Sequence, residues 1–188
     1  MRSSPANCRM NVSIFNSRRA RKVNLPLLKQ IAETLLHELE IHDAKLEINL
    51  VASREITRLN EKYLRHAGPT DVIAFDYGIG VPPLGGFPPE QPQRTNRLKP
   101  ELQILHGEIF ICVDEAVVQA SHFKTNWQSE VVRYLVHGVL HFCGHDDLRP
   151  AARRKMKREE NRLLRRLSRR FSLAQLGRAT KLSPCKSP

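Results

Sequence analysis

No stretch of this sequence holds the roughly 20 consecutive apolar residues that a membrane-spanning helix requires. The opening residues, MRSSPANCRMNVSIF, contain no continuous apolar run of the length of a secretory signal. A cytoplasmic protein with no membrane partner is the expectation. Cysteine is scarce: Cys8, Cys112, Cys143 and Cys185 lie far apart and form no CxxC pair. That excludes a disulfide framework and a cysteine zinc ribbon, and the four read as small apolar thiols. Internal repeats are missing, as is any glycine-rich phosphate loop of the Walker or dinucleotide type. Residues 171–188 contain no acidic side chain.

The last of these absences belongs to a larger asymmetry. The chain has 188 residues, a length suited to one domain with a buried core, and a formal net charge of +12. Residues 1–148 carry 17 basic and 17 acidic side chains, whereas residues 149–170 carry 11 basic and 2 acidic ones. The whole net charge therefore lies after Leu148. A field of that sign favours polyanions, either nucleic acid or an acidic membrane face.

Hydrophobic periodicity alternates between the two secondary-structure types. Residues 10–15 and 45–51 alternate as half-buried strands, while 26–40 places Leu28, Ile31, Leu35 and Leu39 on one helical stripe. Ser53 reads as the cap of a helix carrying Ile56, Leu59 and Tyr63, broken by Gly68-Pro69. Strands are expected over 71–76 and 108–113, then helices from Asp114, from Asn126 to Gly144, and after Pro150, the last with Met156, Leu163 and Leu167 as its apolar positions. The chain from Ser172 onward is expected to fray. Residues 77–100, rich in proline and glycine, read as a long loop between strands. The expectation is a single α+β domain: a mixed, mostly parallel sheet of about four strands, with helices packed on it and a metal site on a central helix. Its boundaries are 10–164, with a loop insertion at 77–100 and a basic C-terminal extension at 165–188.

The chemistry is concentrated in one segment, His137-Gly-Val-Leu-His141-Phe-Cys-Gly144-His145-Asp146-Asp147. Histidines four apart on a helix share a face and can share a metal. Gly144 supplies the left-handed residue that ends a helix and turns the chain back, so that His145, Asp146 or Asp147 can return toward the pair. A bare HxxxH is weak; HxxxHxxGxxD offers two ligands, a turn and a third ligand in order. Zincin proteases carry glutamate directly after the first histidine as general base, and Gly138 stands there instead. A site with three ligands and an open position still activates water.

The segment resembles the signature of the YbeY family of bacterial endoribonucleases, H-G-x-L-H-x-x-G-x-D-H, matched by His137, Gly138, Leu140, His141, Gly144 and Asp146. A second block, LNEKYLRHAGPTDVIAF, resembles the family's L-N-x-x-Y-R-x-x-x-x-P-T-D-V-L-S-F through Leu59, Asn60, Arg65, Pro69, Thr70, Asp71, Val72 and Phe75. Gly107-Glu108-Ile109 is similar to the family's G-D-I strand, and Met156 and Glu160 to the M-x-x-x-E of its last helix. Two positions depart from the pattern: Asp147 stands where the family has its third ligand, a histidine, and Ala74 where it commonly has serine.

The resemblance implies a zinc-dependent endoribonuclease specific for single-stranded RNA, acting in 16S rRNA 3′-end maturation and ribosome quality control. One Zn2+ per chain would be held by His137, His141 and Asp147. His145, one residue past the turn glycine, has little chain with which to swing back. Arg65 is the expected catalytic arginine, binding the scissile phosphate. Asp71 and His145 are candidates to brace Arg65 or a ligating histidine. The implied partners are precursor 16S rRNA, the small ribosomal subunit and its associated proteins. Arginine dominance in the basic helix favours phosphate, and Arg153, Arg154, Lys157, Arg158 and Arg162 are the expected RNA-backbone contacts. The rival readings are an assembly factor with a structural metal and, disfavoured by Gly138, a metalloprotease.

Overall fold

The computed structural model describes residues 10–78 and 105–177. The loop expected over 77–100 lies outside them beyond Gly78, as do Cys8, Cys185 and the end of the expected extension. Four strands, β1 (Met10–Asn16), β2 (Ala44–Val51), β3 (Val72–Asp76) and β4 (Leu105–Cys112), form one sheet in the order β1-β2-β4-β3. β1 and β4 run parallel to β2, and β3 is antiparallel to β4. The helices are α1 (Leu25–Glu38), α2 (Ser53–Leu59), α3 (Val113–Phe123), α4 (Trp127–Phe142) and α5 (Pro150–Arg170). The α+β class and the mixed, mostly parallel sheet are as expected.

Strand periodicity produces the core directly. Val12, Leu46 and Gly107 stand in register across β1, β2 and β4, followed by Ile14, Ile48 and Ile109. This face packs against the apolar sides of α1, α4 and α5, including Leu28, Leu35, Val131, Leu135, Met156 and Leu163. The opposite face is partly covered by α2, whose Ile56 is buried with Val51, Ile73 and Cys112.

α4 sits unusually close to β4 because glycine faces the partner on each side. A Cβ at Gly138 would lie 2.9 Å from Ile109 Cδ1, and one at Gly107 would lie 2.6 Å from the Phe142 ring. Gly138 is buried in the helix–sheet contact. The position that zincins use for a general base therefore points into the core of this chain.

Three local expectations change. Ser53 is the first residue of α2 and not its cap: the cap is Ala52, whose N–H donates to Glu55 Oε2 at 3.0 Å. The Ser53 N–H and hydroxyl go instead to Asp114 Oδ2, at 2.8 and 3.3 Å. The helix expected through Tyr63 widens into a π-turn over Asn60–Leu64, because buried Asn60 is drawn to the turn beyond it, donating to the Gly68 carbonyl at 2.9 Å. Residues 173–177 do not fray but form a 3-10 turn whose Leu173 and Leu176 are buried against the main core. Leu167 joins the same core, and α5 runs past residue 164 without a break.

The close seating of α4 on β4 sets a prediction. Gly138→Val inserts a side chain into a filled contact and should destabilise the fold by about 1–3 kcal/mol, read as a lower denaturant midpoint. An unchanged midpoint would mean that the contact is looser than the geometry indicates.

Candidate metal centre

His137 and His141 project from the last turns of α4. The helix then closes in a Schellman arrangement: the Gly144 N–H donates to the His141 carbonyl at 2.9 Å and the His145 N–H to the Leu140 carbonyl at 3.0 Å. Gly144 takes φ +86°, which strains any residue with a side chain. His145 is thus committed by its backbone to closing the helix. Two residues later the chain has turned far enough for Asp147 to reach the histidines.

His137 Nε2 and His141 Nε2 lie 3.1 Å apart, and Asp147 Oδ2 lies 3.7 Å from the first and 4.0 Å from the second. Ligand atoms on a tetrahedral zinc stand about 3.3 Å apart, so modest closure around an ion suits this donor set. Among the described residues this is the one cluster of His, Cys, Asp or Glu whose candidate ligand atoms come within 4.8 Å of one another. The three side chains are 25–39% exposed, leaving the cluster open to solvent on one side. Burial, and then the neighbouring His137, lower the pKa of His141, keeping it neutral and able to ligate near pH 7.

Glu160 stands behind the cluster. Its carboxyl is 3% exposed, with Oε2 3.3 Å from His137 Nδ1. Oε1 accepts from Arg133 Nη1 and Lys157 Nζ, each at 2.6 Å. Burial alone would push the Glu160 pKa up, but the hydrogen bonds from His137, Lys157 and Arg133 outweigh it and hold the pKa at about 2. The ionised carboxylate draws the His137 proton to Nδ1 and turns the Nε2 lone pair toward the cluster. Arg133 continues the chain of contacts to Glu130 Oε2 at 3.1 Å, and Glu130 Oε1 accepts from Thr125 at 2.7 Å. This brace was readable in outline: Met156, Glu160, Leu163 and Leu167 follow 4-3-4 spacing, which puts a glutamate on the buried stripe of a basic helix.

The other expected residues are placed differently. Arg65 sits in the left-handed position after the π-turn, with φ 57°. It is exposed, and its guanidinium has no hydrogen-bond or ion-pair partner among the described residues. The structure thus brings His137, His141 and Asp147 together and leaves Arg65 free of direct contact with them. Asp71 caps the start of β3, accepting from Thr70 Oγ1 at 3.1 Å and the Val72 N–H at 2.9 Å. Its charge, after burial, helps raise the pKa of Tyr134, so the segment leading from Arg65 into β3 runs beside α4 one turn before His137. His145 lies toward α5, where it adjoins Glu159. Of the expected RNA-backbone residues, Arg153 donates to the Asp147 carbonyl at 2.9 Å, Lys157 serves Glu160, and Arg162 pairs with Glu159. Arg154 and Arg158 have no side-chain partner among the described residues.

The sequence profile of the family described as Endoribonuclease YbeY matches residues 6–168. The endoribonuclease YbeY of Chlorobium luteolum is 32% identical over 160 residues, covering 85% of this chain and 100% of the relative. That of Salinibacter ruber is 28% identical over 153 residues, covering 81% and 89%. The solution structure of TM1509 from Thermotoga maritima superposes with a TM-score of 0.56 at 19% identity, over 92% of this chain and 99% of that one, a likeness of fold. Fold and relatives together define the class of this protein, an α+β hydrolytic nuclease. Within that class the chain belongs to the endoribonuclease YbeY family. Among the described residues no helix is long and apolar enough to cross a membrane.

Three substitutions test the centre. Asp147→Ala should lose bound metal per chain whereas His145→Ala keeps it, measured by elemental analysis; the reverse result would move the third ligand to His145. Glu160→Gln, which keeps the shape and removes the charge, should weaken metal affinity by about 10–100-fold in a chelator competition.

Proposed function

We propose that this protein is a zinc-dependent endoribonuclease that hydrolyses single-stranded RNA, with one Zn2+ per chain held by His137, His141 and Asp147. The observation that carries the reading is the convergence of two imidazole nitrogens and one carboxylate oxygen on the solvent-open side of α4. Three protein donors with an accessible side suit catalysis, whereas a structural zinc is closed by four. That favours an enzyme over an assembly factor with a structural metal. The protease reading has no support, because Gly138 faces Ile109 where a general base would be required.

Bound zinc would supply a Lewis acid for the phosphoryl oxygen and an acidified water. The chain's own residues do the rest. Glu160 Oε2, 3.3 Å from His137 Nδ1, favours the tautomer that presents Nε2. Asp147 adds a negative charge to the donor set, which makes the ion a milder Lewis acid than three neutral imidazoles would. Arg65 is the residue for the scissile phosphate. Its exposed guanidinium is free to form two parallel hydrogen bonds to phosphate oxygens and to stabilise the charge that develops there. The biological substrate in this reading is precursor 16S rRNA at its 3′ end, met on the small ribosomal subunit with its associated proteins in the cytoplasm. Ribosome quality control is the corresponding role.

The test is cleavage of a labelled single-stranded RNA. Chelation should abolish it and added zinc restore it. Arg65→Ala should slow it by about 100-fold or more with metal content unchanged. Full activity in His137→Ala would refute the assignment.

A further inference from the structure

One surface of α5 is left unexplained by packing. Lys155, Arg158, Arg162, Arg165 and Arg169 follow each other at 3-4-3-4 spacing, which aligns them along one face over about 21 Å of helix. That face is opposite to the buried stripe of Met156, Glu160, Leu163 and Leu167. The two acidic residues of α5 are already engaged, Glu160 in the brace behind His137 and Glu159 with Arg162. Lys155, Arg158, Arg165 and Arg169 have no acidic partner among the described residues. Like charges three and four apart on a helix repel, so a face that served only solubility would alternate its signs. Elsewhere α5 does use an acid where it needs one, as in the Arg166 pair with Glu38 that ties it to α1.

The stripe borders a groove of ≈ 460 Å³, lined by His145, Asn161, four of its cations and Glu159, which is already paired with Arg162. His145 is two residues from Asp147, about 7 Å of chain. The groove and the metal cluster therefore share the turn that follows α4.

We propose that Lys155, Arg158, Arg162, Arg165 and Arg169, with His145 beside them, form a rail for the sugar-phosphate backbone of a single RNA strand and lead it to the His137–His141–Asp147 cluster. The inference rests on the nuclease reading and adds where the strand lies. Arginine predominates, which suits the paired oxygens of phosphate. No Phe, Tyr or Trp lines the groove among the described residues, so the hold is mainly on backbone and largely independent of sequence. The stripe itself has no large apolar side chain to insert into a lipid surface.

Three substitutions at exposed, unpartnered positions, Arg158→Gln, Arg165→Gln and Arg169→Gln, test the rail. Binding of a fluorescein-labelled single-stranded RNA is followed by anisotropy across a salt series, with EDTA present to prevent cleavage. The plot of log affinity against log salt should become shallower by about 2, and affinity at low salt should fall at least tenfold. The matched variant Arg18→Gln, Arg19→Gln, Arg54→Gln removes the same charge at exposed positions outside α5 and should change the slope far less. Arg→Lys at the three rail positions should retain it.

An equal loss in the matched variant would mean that net charge alone attracts RNA, which overturns the rail. An unchanged slope in the rail variant also overturns it and leaves the nuclease reading standing. Intact, rail-dependent binding without zinc-dependent cleavage by the wild type would instead sink the nuclease reading and the leading role with it. Rail-dependent capture by phosphatidylserine vesicles in place of RNA would give the stripe to an acidic membrane and overturn the proposal.

Discussion

The close approach of α4 to β4 is the constraint on which the rest of the structure depends. Gly138 on the helix meets Ile109 on the strand, and Gly107 on the strand meets the Phe142 ring on the helix. With no Cβ at either glycine, the helix settles onto the sheet along its last turns, the turns that carry His137 and His141. The imidazoles are thereby carried on the flank of a helix packed closely on the sheet, and donors held by a packed scaffold lose little freedom when they take up a ligand. The same contact removes one chemistry from the fold, because the residue following His137 is spent on packing.

A second element works from the opposite side. Glu160 is a buried charge, costly if left alone. It is offset by Arg133 from α4, by Lys157 from its own helix and by His137. The network fastens α5 to α4 and points His137 at the cluster in one arrangement. Removing any single partner leaves the carboxylate under-compensated, so stability and site geometry are coupled there.

α5 consequently has two personalities separated by its circumference. Its inner stripe is apolar with one braced glutamate; its outer surface is a row of cations on a domain that is otherwise charge-balanced. The turn between α4 and α5 touches both the histidine cluster and the cationic face. Gly144 ends the helix, His145 closes it and leans toward the cations, and Asp147 returns to the histidines. A short stretch of chain thus joins the His137–His141–Asp147 cluster to the row of cations on α5.

Much of this was legible in the residues themselves. Alternation gave the strands, the stripe of Leu28, Ile31 and Leu35 gave α1, and HxxxHxxGxxD named the three residues that the structure clusters, because helix period and glycine conformation are local properties. That Asp147 reaches the histidines follows from the few residues that a chain needs to reverse. What the sequence did not determine is what depends on distant partners. Ser53 turned to Asp114 across 61 residues, Asn60 opened α2 into a π-turn by bonding to Gly68, and Leu173 and Leu176 gained a core to bury in. Glu160 became a brace for His137 only once α5 had packed on α4. Local periodicity decides which face a residue occupies; only the tertiary structure decides which charge or ring waits opposite, because those energies belong to pairs that the chain brings together last.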